Sequence, residues 1–278
     1  MAGDGRQGTS PSQAGLPGRA PSAGQIAAMA IMQANNHVAS LLSHELNTPL
    51  SVVMAAVETL ADDLKDDCLG PESREDLFGL IQQNVERLRN NVRRLILFMQ
   101  LEWEFQQGFG PPHVSEGIDL NDTVRLAQGL LGEVHRDKGL VVELLLADDL
   151  PLLTCSPDRL ETCIHELLSN AYRFCPAQAE LVIETAMRAG DRVGLRLSHP
   201  QRQIDSRKLE LVYLPFWQSE ALNTRHTDGL GLGIPITKRL LRSMGGDLTV
   251  QLDGDLLTFR LEMPLQRGEA PCSSSTGS

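Results

Sequence analysis

The sequence predicts an α+β protein: an antiparallel helical hairpin, then a layered domain of helices on a sheet. Three observations carry this. Apolar residues recur every three or four positions through residues 25–106. A Gly108-Phe109-Gly110-Pro111-Pro112 run then punctuates the chain. Beyond it, short valine- and leucine-rich runs alternate with helical stretches, the pattern of a mixed layered domain.

In the first helix Leu42, Leu46, Leu50, Val53, Val57, Leu60 and Leu64 keep the helical spacing. The break is at Cys68-Leu69-Gly70-Pro71, where Glu72 and Ser73 suit the opening of a new helix. The second helix carries Leu77, Ile81, Val85 (or Asn84), Leu88, Val92, Leu95 and Met99, a nearly heptad stripe. Two helices alone cannot bury a whole seam, so the hairpin is expected to pair with a second copy into a four-helix bundle. In the second domain the pattern predicts helices over 119–138, 158–174 and 233–244. Strands are predicted over 140–146, 181–187 and 193–197, and a closing hairpin over 247–252 and 256–263 turns at Asp253-Gly254.

The chain of 278 residues has room for these two domains. Residues 1–23 are rich in Gly, Ser, Pro, Gln and Ala and read as a disordered arm; 266–278 reads as a similar tail. That leaves a hairpin domain over 24–110 and a layered domain over 111–265. Hydrophobic residues at 41% and charged residues at 22% fit a soluble globular protein. A net charge of -11 argues against a nucleic-acid or anionic-membrane binder, since both need a basic surface. No run approaches the ~20 apolar residues of a membrane helix. The five cysteines, Cys68, Cys155, Cys163, Cys175 and Cys272, form no C-x-x-C pair, so neither a disulfide framework nor a zinc site is indicated. Reduced thiols in a cytoplasmic protein are expected.

The most informative stretch is Ser43-His44-Glu45-Leu46-Asn47-Thr48-Pro49-Leu50. Thr48 lies one helical turn beyond His44 on the same face, while Leu42, Leu46 and Leu50 point elsewhere, so His44 should face solvent. Pro49 has no N–H to offer the Glu45 carbonyl and is expected to kink the helix beside the histidine. An exposed imidazole can attack an electrophilic phosphorus, and a neighbouring carboxylate can accept its N–H and fix its tautomer. A surface His followed by Glu is also common on a solvated helix face. The whole string, however, resembles the H-box of histidine kinases, usually His-Glu-Leu-Arg-Thr-Pro-Leu. The resemblance implies that His44 is phosphorylated, that Glu45 is its general base, and that Thr48 positions water for dephosphorylating a partner. Asn47 stands where the family has a basic residue.

Further strings follow in the family's order. Glu166, Asn170 and Arg173, at i, i+4 and i+7, share one helix face; the plain reading is a solvated stripe opposite Leu160, Ile164, Leu167 and Ala171. His165-Glu166-Leu167-Leu168-Ser169-Asn170-Ala171-Tyr172-Arg173-Phe174 resembles the family's N-box. By that likeness Asn170 holds Mg²⁺ between ATP phosphates, Arg173 replaces the phosphate-contacting Lys, and Glu166 takes the first Asn position. Thr227-Asp228-Gly229-Leu230-Gly231-Leu232-Gly233 opens a helix with glycines that let the backbone approach a phosphate. It resembles the G2 box, with Gly229 and Gly231 at the nucleotide and Lys238 on the following helix continuing the likeness. Leu214-Pro215-Phe216-Trp217 resembles the F-box, although Phe216 could equally be core. Where the family's G1 box has Asp-x-Gly-x-Gly-Ile, this chain has His199-Pro200-Gln201-Arg202-Gln203-Ile204 and keeps only the isoleucine.

The resemblance therefore implies a dimeric phosphotransfer hairpin followed by an α/β sandwich of the histidine-kinase and Hsp90-like ATPase type. It implies ATP and Mg²⁺, autophosphorylation on His44 and transfer to an aspartate in a response regulator receiver domain; the signal is expected from a separate sensor protein, from the short N-terminal arm, or from a part of the protein outside this sequence. Two other readings stay open on the residues: a relay that receives phosphate on His44 without using ATP, and a pseudokinase scaffold.

Overall fold

The computed structural model describes residues 23–107, 116–201, 204–218 and 229–265. The two terminal arms and the Gly108–Pro112 punctuation lie outside the described residues. The chain divides into two units, Met1–Ser40 and Leu41–Ser278. The described part of the first is the opening of one helix, and everything below concerns the second.

Two helices come first, α1 (Ala23–Asp66) and α2 (Pro71–Gln107). Their turn sits where the Gly-Pro break predicts. Asp63 fixes it, accepting from the Leu69 backbone N–H at 2.6 Å and from Arg74 Nε at 2.5 Å. These bonds satisfy a carboxylate that is otherwise buried. The apolar seams are only partly covered. Leu50, Val57, Leu64, Val85, Val92 and Met99 remain exposed, while Ala56, Asn84, Asn91 and Phe98 are buried. A hairpin left with an apolar face open fits the expected pairing with a second copy.

The second domain opens with a short strand, β1 (Glu116–Ile118), and continues with α3 (Leu120–Val134), β2 (Val141–Leu146), β3 (Leu153–Cys155), α4 (Pro157–Phe174), β4 (Glu180–Arg188), β5 (Arg192–Pro200), α5 (Gly233–Ser243), β6 (Asp247–Asp253) and β7 (Leu256–Pro264). The larger sheet has the order β2-β4-β5-β7-β6, with β2 parallel to β4 and the other neighbours antiparallel. One face carries Leu181, Ile183, Val193, Leu195, Leu197, Phe259 and Leu261 into the core. The other presents Glu184, Arg196 and Arg260 in register across β4, β5 and β7. Alternation of this kind puts the helices on a single side, the two-layer arrangement the sequence predicts.

Each helix is fixed by local chemistry. The Asp119 carboxylate caps α3 by accepting from Asn121 N and Asp122 N. Pro157 opens α4 at the position where its missing N–H costs nothing. At the other end of α4, Lys138 Nζ donates to the carbonyls of Tyr172, Arg173 and Cys175, satisfying groups that the last turn leaves open. This fixes the helix that carries Glu166, Asn170 and Arg173. Two features are absent from the sequence-based expectation: the β1–β3 pair and a 3-10 helix over Ser206–Tyr213. Among the described residues no helix is long and apolar enough to cross a membrane.

Candidate functional site

A cleft of about 910 Å³, counted out to its mouth, opens between α4 and the N-terminal end of α5. Glu166, Asn170 and Arg173 line it from α4, and Gly229, Gly231 and Gly233 line it from the turn into α5. Two of those glycines are closely approached, and Gly231 is sterically required. Gly231 has φ +66°, and a Cβ there would lie 2.5 Å from the Trp217 carbonyl oxygen. At Gly233 a Cβ would meet Glu166 Oε2 at 2.8 Å and Asn170 Nδ2 at 3.0 Å. The turn therefore lies directly against the polar stripe of α4. The first backbone N–H groups of α5 point out of a helix N-terminus, where an anion is favoured.

The bonding of Asn170 in this cleft is incomplete. Its Nδ2 is buried and has no hydrogen-bond partner among the described residues, a state that ordinarily calls for a ligand. Glu166 is buried and its Oε1 accepts from Arg94 Nε at 2.7 Å. No cluster of three or more His, Cys, Asp and Glu that could hold a metal exists among the described residues. A small hard cation here would take the Asn170 amide and oxygens brought by its ligand, which is how Mg²⁺ is usually held at phosphates.

The hairpin meets the same cleft. His44 is exposed, its side chain 74% accessible, and its Nδ1 lies 3.5 Å from Glu45 Oε1. The Thr48 hydroxyl donates to the His44 carbonyl at 2.8 Å. Glu45 is turned inward. Its Oε2 accepts from the Gly229 backbone N–H at 3.2 Å and lies 3.4 Å from Arg87 Nη2, while its own carbonyl accepts from Asn91 Nδ2 at 3.3 Å. One carboxylate thus bridges the histidine of the hairpin and the glycine turn of the cleft.

Residues 34–102 match the model of the His Kinase A (phospho-acceptor) domain, and residues 155–267 match that of the histidine kinase-, DNA gyrase B- and HSP90-like ATPases. The chain belongs to the histidine kinases. It is 28% identical over 240 residues to the autoinducer 2 sensor kinase/phosphatase LuxQ of Vibrio vulnificus, an alignment covering 82% of this chain and 26% of LuxQ. The chain therefore spans about a quarter of that relative's length. Two solved histidine kinases share its fold. Full-length ShkA in complex with AMPPNP has a TM-score of 0.58 at 23% identity, covering 82% of this chain and 45% of that one. ThkA in complex with the response regulator TrrA has a TM-score of 0.59 at 14% identity, covering 89% and 65%.

The histidine-kinase motifs do not all converge. Glu166, Asn170, Arg173, Gly229 and Gly231 meet at the cleft, and Glu45 reaches its edge. Lys238 does not. Its amine donates to the Leu248 carbonyl at 2.9 Å, lies 4.0 Å from the centre of the Tyr213 ring and 3.6 Å from Asp247 Oδ1. It sits on the side of α5 that packs on β6, so its place at a nucleotide is corrected to a structural one. Phe216 packs its ring edge-on to Phe98, centroids 5.8 Å apart, and the cleft is lined instead by Trp217 and Gln218. Thr227, Asp228, Arg202 and Gln203 lie outside the described residues.

The segment that replaces the G1 box behaves unlike its namesake. His199 is buried against Phe259, with Nδ1 3.0 Å from the Pro200 carbonyl, and it does not line the cleft. Burial pushes its pKa below the ordinary histidine value, so the ring stays neutral. Gln201 does line the cleft, its backbone N–H tied to the Asp255 carbonyl at 2.6 Å. The position of the family's G1 carboxylate is thus held by the buried His199, and Gln201, at a glycine position of that box, brings a neutral amide to the cleft. Arg94 is the residue that sequence reading missed. It lies beside the apolar stripe of α2, and nothing local marks it as part of the cleft.

Proposed function

We propose that this chain transfers the γ-phosphoryl group of ATP to His44 and then to an aspartate of a response regulator. The observation that carries the reading is the position of Glu45, with one oxygen 3.5 Å from His44 Nδ1 and the other 3.2 Å from Gly229 N. A carboxylate there accepts the Nδ1 proton as Nε2 bonds to phosphorus. The bond from phosphorus to the bridging oxygen breaks and ADP leaves. Asn170 would hold the Mg²⁺, which would supply charge stabilisation beside the N–H groups of the glycine turn, so positioning and electrostatics would carry most of the rate. The direct test is incubation of the protein with γ-labelled ATP and Mg²⁺. Acid-labile, base-stable label is the expected result. A folded protein that takes none would favour the relay reading, which the replacement of the family's G1 carboxylate by His199 also supports.

Three expectations follow from the roles. Glu45→Gln keeps the side-chain shape and an acceptor for Gly229 N but cannot take a proton. Single-turnover labelling should slow by about 100-fold or more with nucleotide affinity held. A wild-type rate would remove the base role. Thr48→Ala should weaken dephosphorylation of the regulator while sparing label on His44, and equal loss of both would contradict the assignment. Finally, the apolar face left on the hairpin predicts a dimer mass in light scattering at micromolar concentration, against which a clean monomer would count.

A further inference from the structure

We propose that Arg94 is a working residue of the nucleotide cleft, supplied by the acceptor hairpin of the same chain, and that phosphoryl transfer runs from that cleft to His44 within one subunit. The inference rests on the kinase reading above and adds to it a residue and a direction. Arg94 projects from α2 into the polar end of the cleft, where its Nε lies 2.7 Å from Glu166 Oε1 and its side chain is only 19% accessible. It neutralises a carboxylate that would otherwise repel the phosphates of a nucleotide held at Asn170.

The rest of this face of α2 is seated on the same domain. Phe98 meets Phe216, Glu102 pairs with Arg239 at 2.8 Å, and Glu104 pairs with Arg159 at 2.9 Å. Arg94, Phe98 and Glu102 follow one another at i, i+4 and i+8, so a single helix face makes these contacts. From α1, Glu45 binds the glycine turn. Both helices of the hairpin thus reach the cleft of their own chain, and His44 stands at its edge. Transfer to the other copy would require this packed face to come apart first.

Dimers made of two differently tagged chains separate the two routes. In one, His44→Ala is paired with Asn170→Ala. In the other, the unaltered chain is paired with a chain carrying both substitutions. Transfer within a chain leaves the first dimer unlabelled and labels the intact chain of the second. The opposite pattern, label on His44 of the Asn170→Ala chain and none in the second dimer, overturns the proposal. An unaltered homodimer that takes no label indicts the kinase reading instead. For Arg94 itself, Arg94→Ala should raise the KM for ATP roughly tenfold, the loss expected for one charge-assisted contact. Arg94→Lys should restore part of it. A lowered melting temperature with KM unchanged in Arg94→Ala would show a strut between domains and not a cleft residue.

Discussion

Replacing His44 with alanine should remove every trace of acid-labile label while leaving the fold untouched. The side chain is 74% accessible, and its hydrogen bond with Thr48 runs through the backbone carbonyl. The substitution therefore removes no buried contact, and a change in stability within about 0.5 kcal/mol is expected. The informative rival is internal. His165-Glu166-Leu167 repeats the His-Glu-Leu order of His44-Glu45-Leu46, and His165 is also exposed. The carboxylates differ in their commitments. Glu166 is paired with Arg94 inside the cleft, whereas Glu45 lies beside its own histidine. Two other histidines are less accessible than His44 and His165. His135 and His199 are both pushed below the ordinary histidine pKa by burial, and His199 is enclosed in the core. Label that persists in His44→Ala and maps to His165 would sink the assignment. Complete loss with an unchanged melting curve would support it.

The sequence was legible wherever structure is dictated locally. Helix α4 follows from the spacing of Leu160, Ile164, Leu167 and Ala171, and its polar face follows from the same period. The closing hairpin was marked by Asp253-Gly254, and Gly254 does take a positive φ of 57°. The β1–β3 pair was not legible, because strands of three residues carry too little pattern to read. Nor was the 3-10 helix over Ser206–Tyr213, which depends on an Asp205 side chain accepting from Arg207 N.

The site divides along the same line. Glu166, Asn170 and Arg173 were brought together by helical period alone, and the glycine turn was marked by composition. Lys238 was misplaced because position on α5 relative to Gly233 does not say which side of the helix faces the sheet. Arg94 was missed because its partner is 72 residues away in the chain. Long-range ion pairs leave no periodic trace. The same holds for the Glu45 contact with Gly229, which joins two motifs that sequence could only place in order.

Replacing Asn170 with alanine should weaken Mg²⁺-dependent nucleotide binding by roughly 100-fold. The wild-type amide is held against the glycine turn, with Nδ2 buried and without a partner among the described residues. An amide in that state is poised for a ligand, since its desolvation has already been incurred in folding. Alanine removes the oxygen that would join the metal and the N–H that would meet a phosphate. Loss of one such charge-assisted contact costs about 1.5–3 kcal/mol, and losing both roles should weaken binding by roughly 100-fold. Stability should move the other way or not at all, because deleting an unsatisfied buried amide removes a cost. This sign separates a functional residue from a structural one. Titration of a fluorescent ATP analogue with and without Mg²⁺, run beside a thermal melt, reads both quantities on one sample. Unchanged nucleotide affinity would refute the cleft assignment. Lost affinity with a lowered melting temperature would show that Asn170 supports α4 instead. Lost affinity with an equal or higher melting temperature is the result that the geometry predicts.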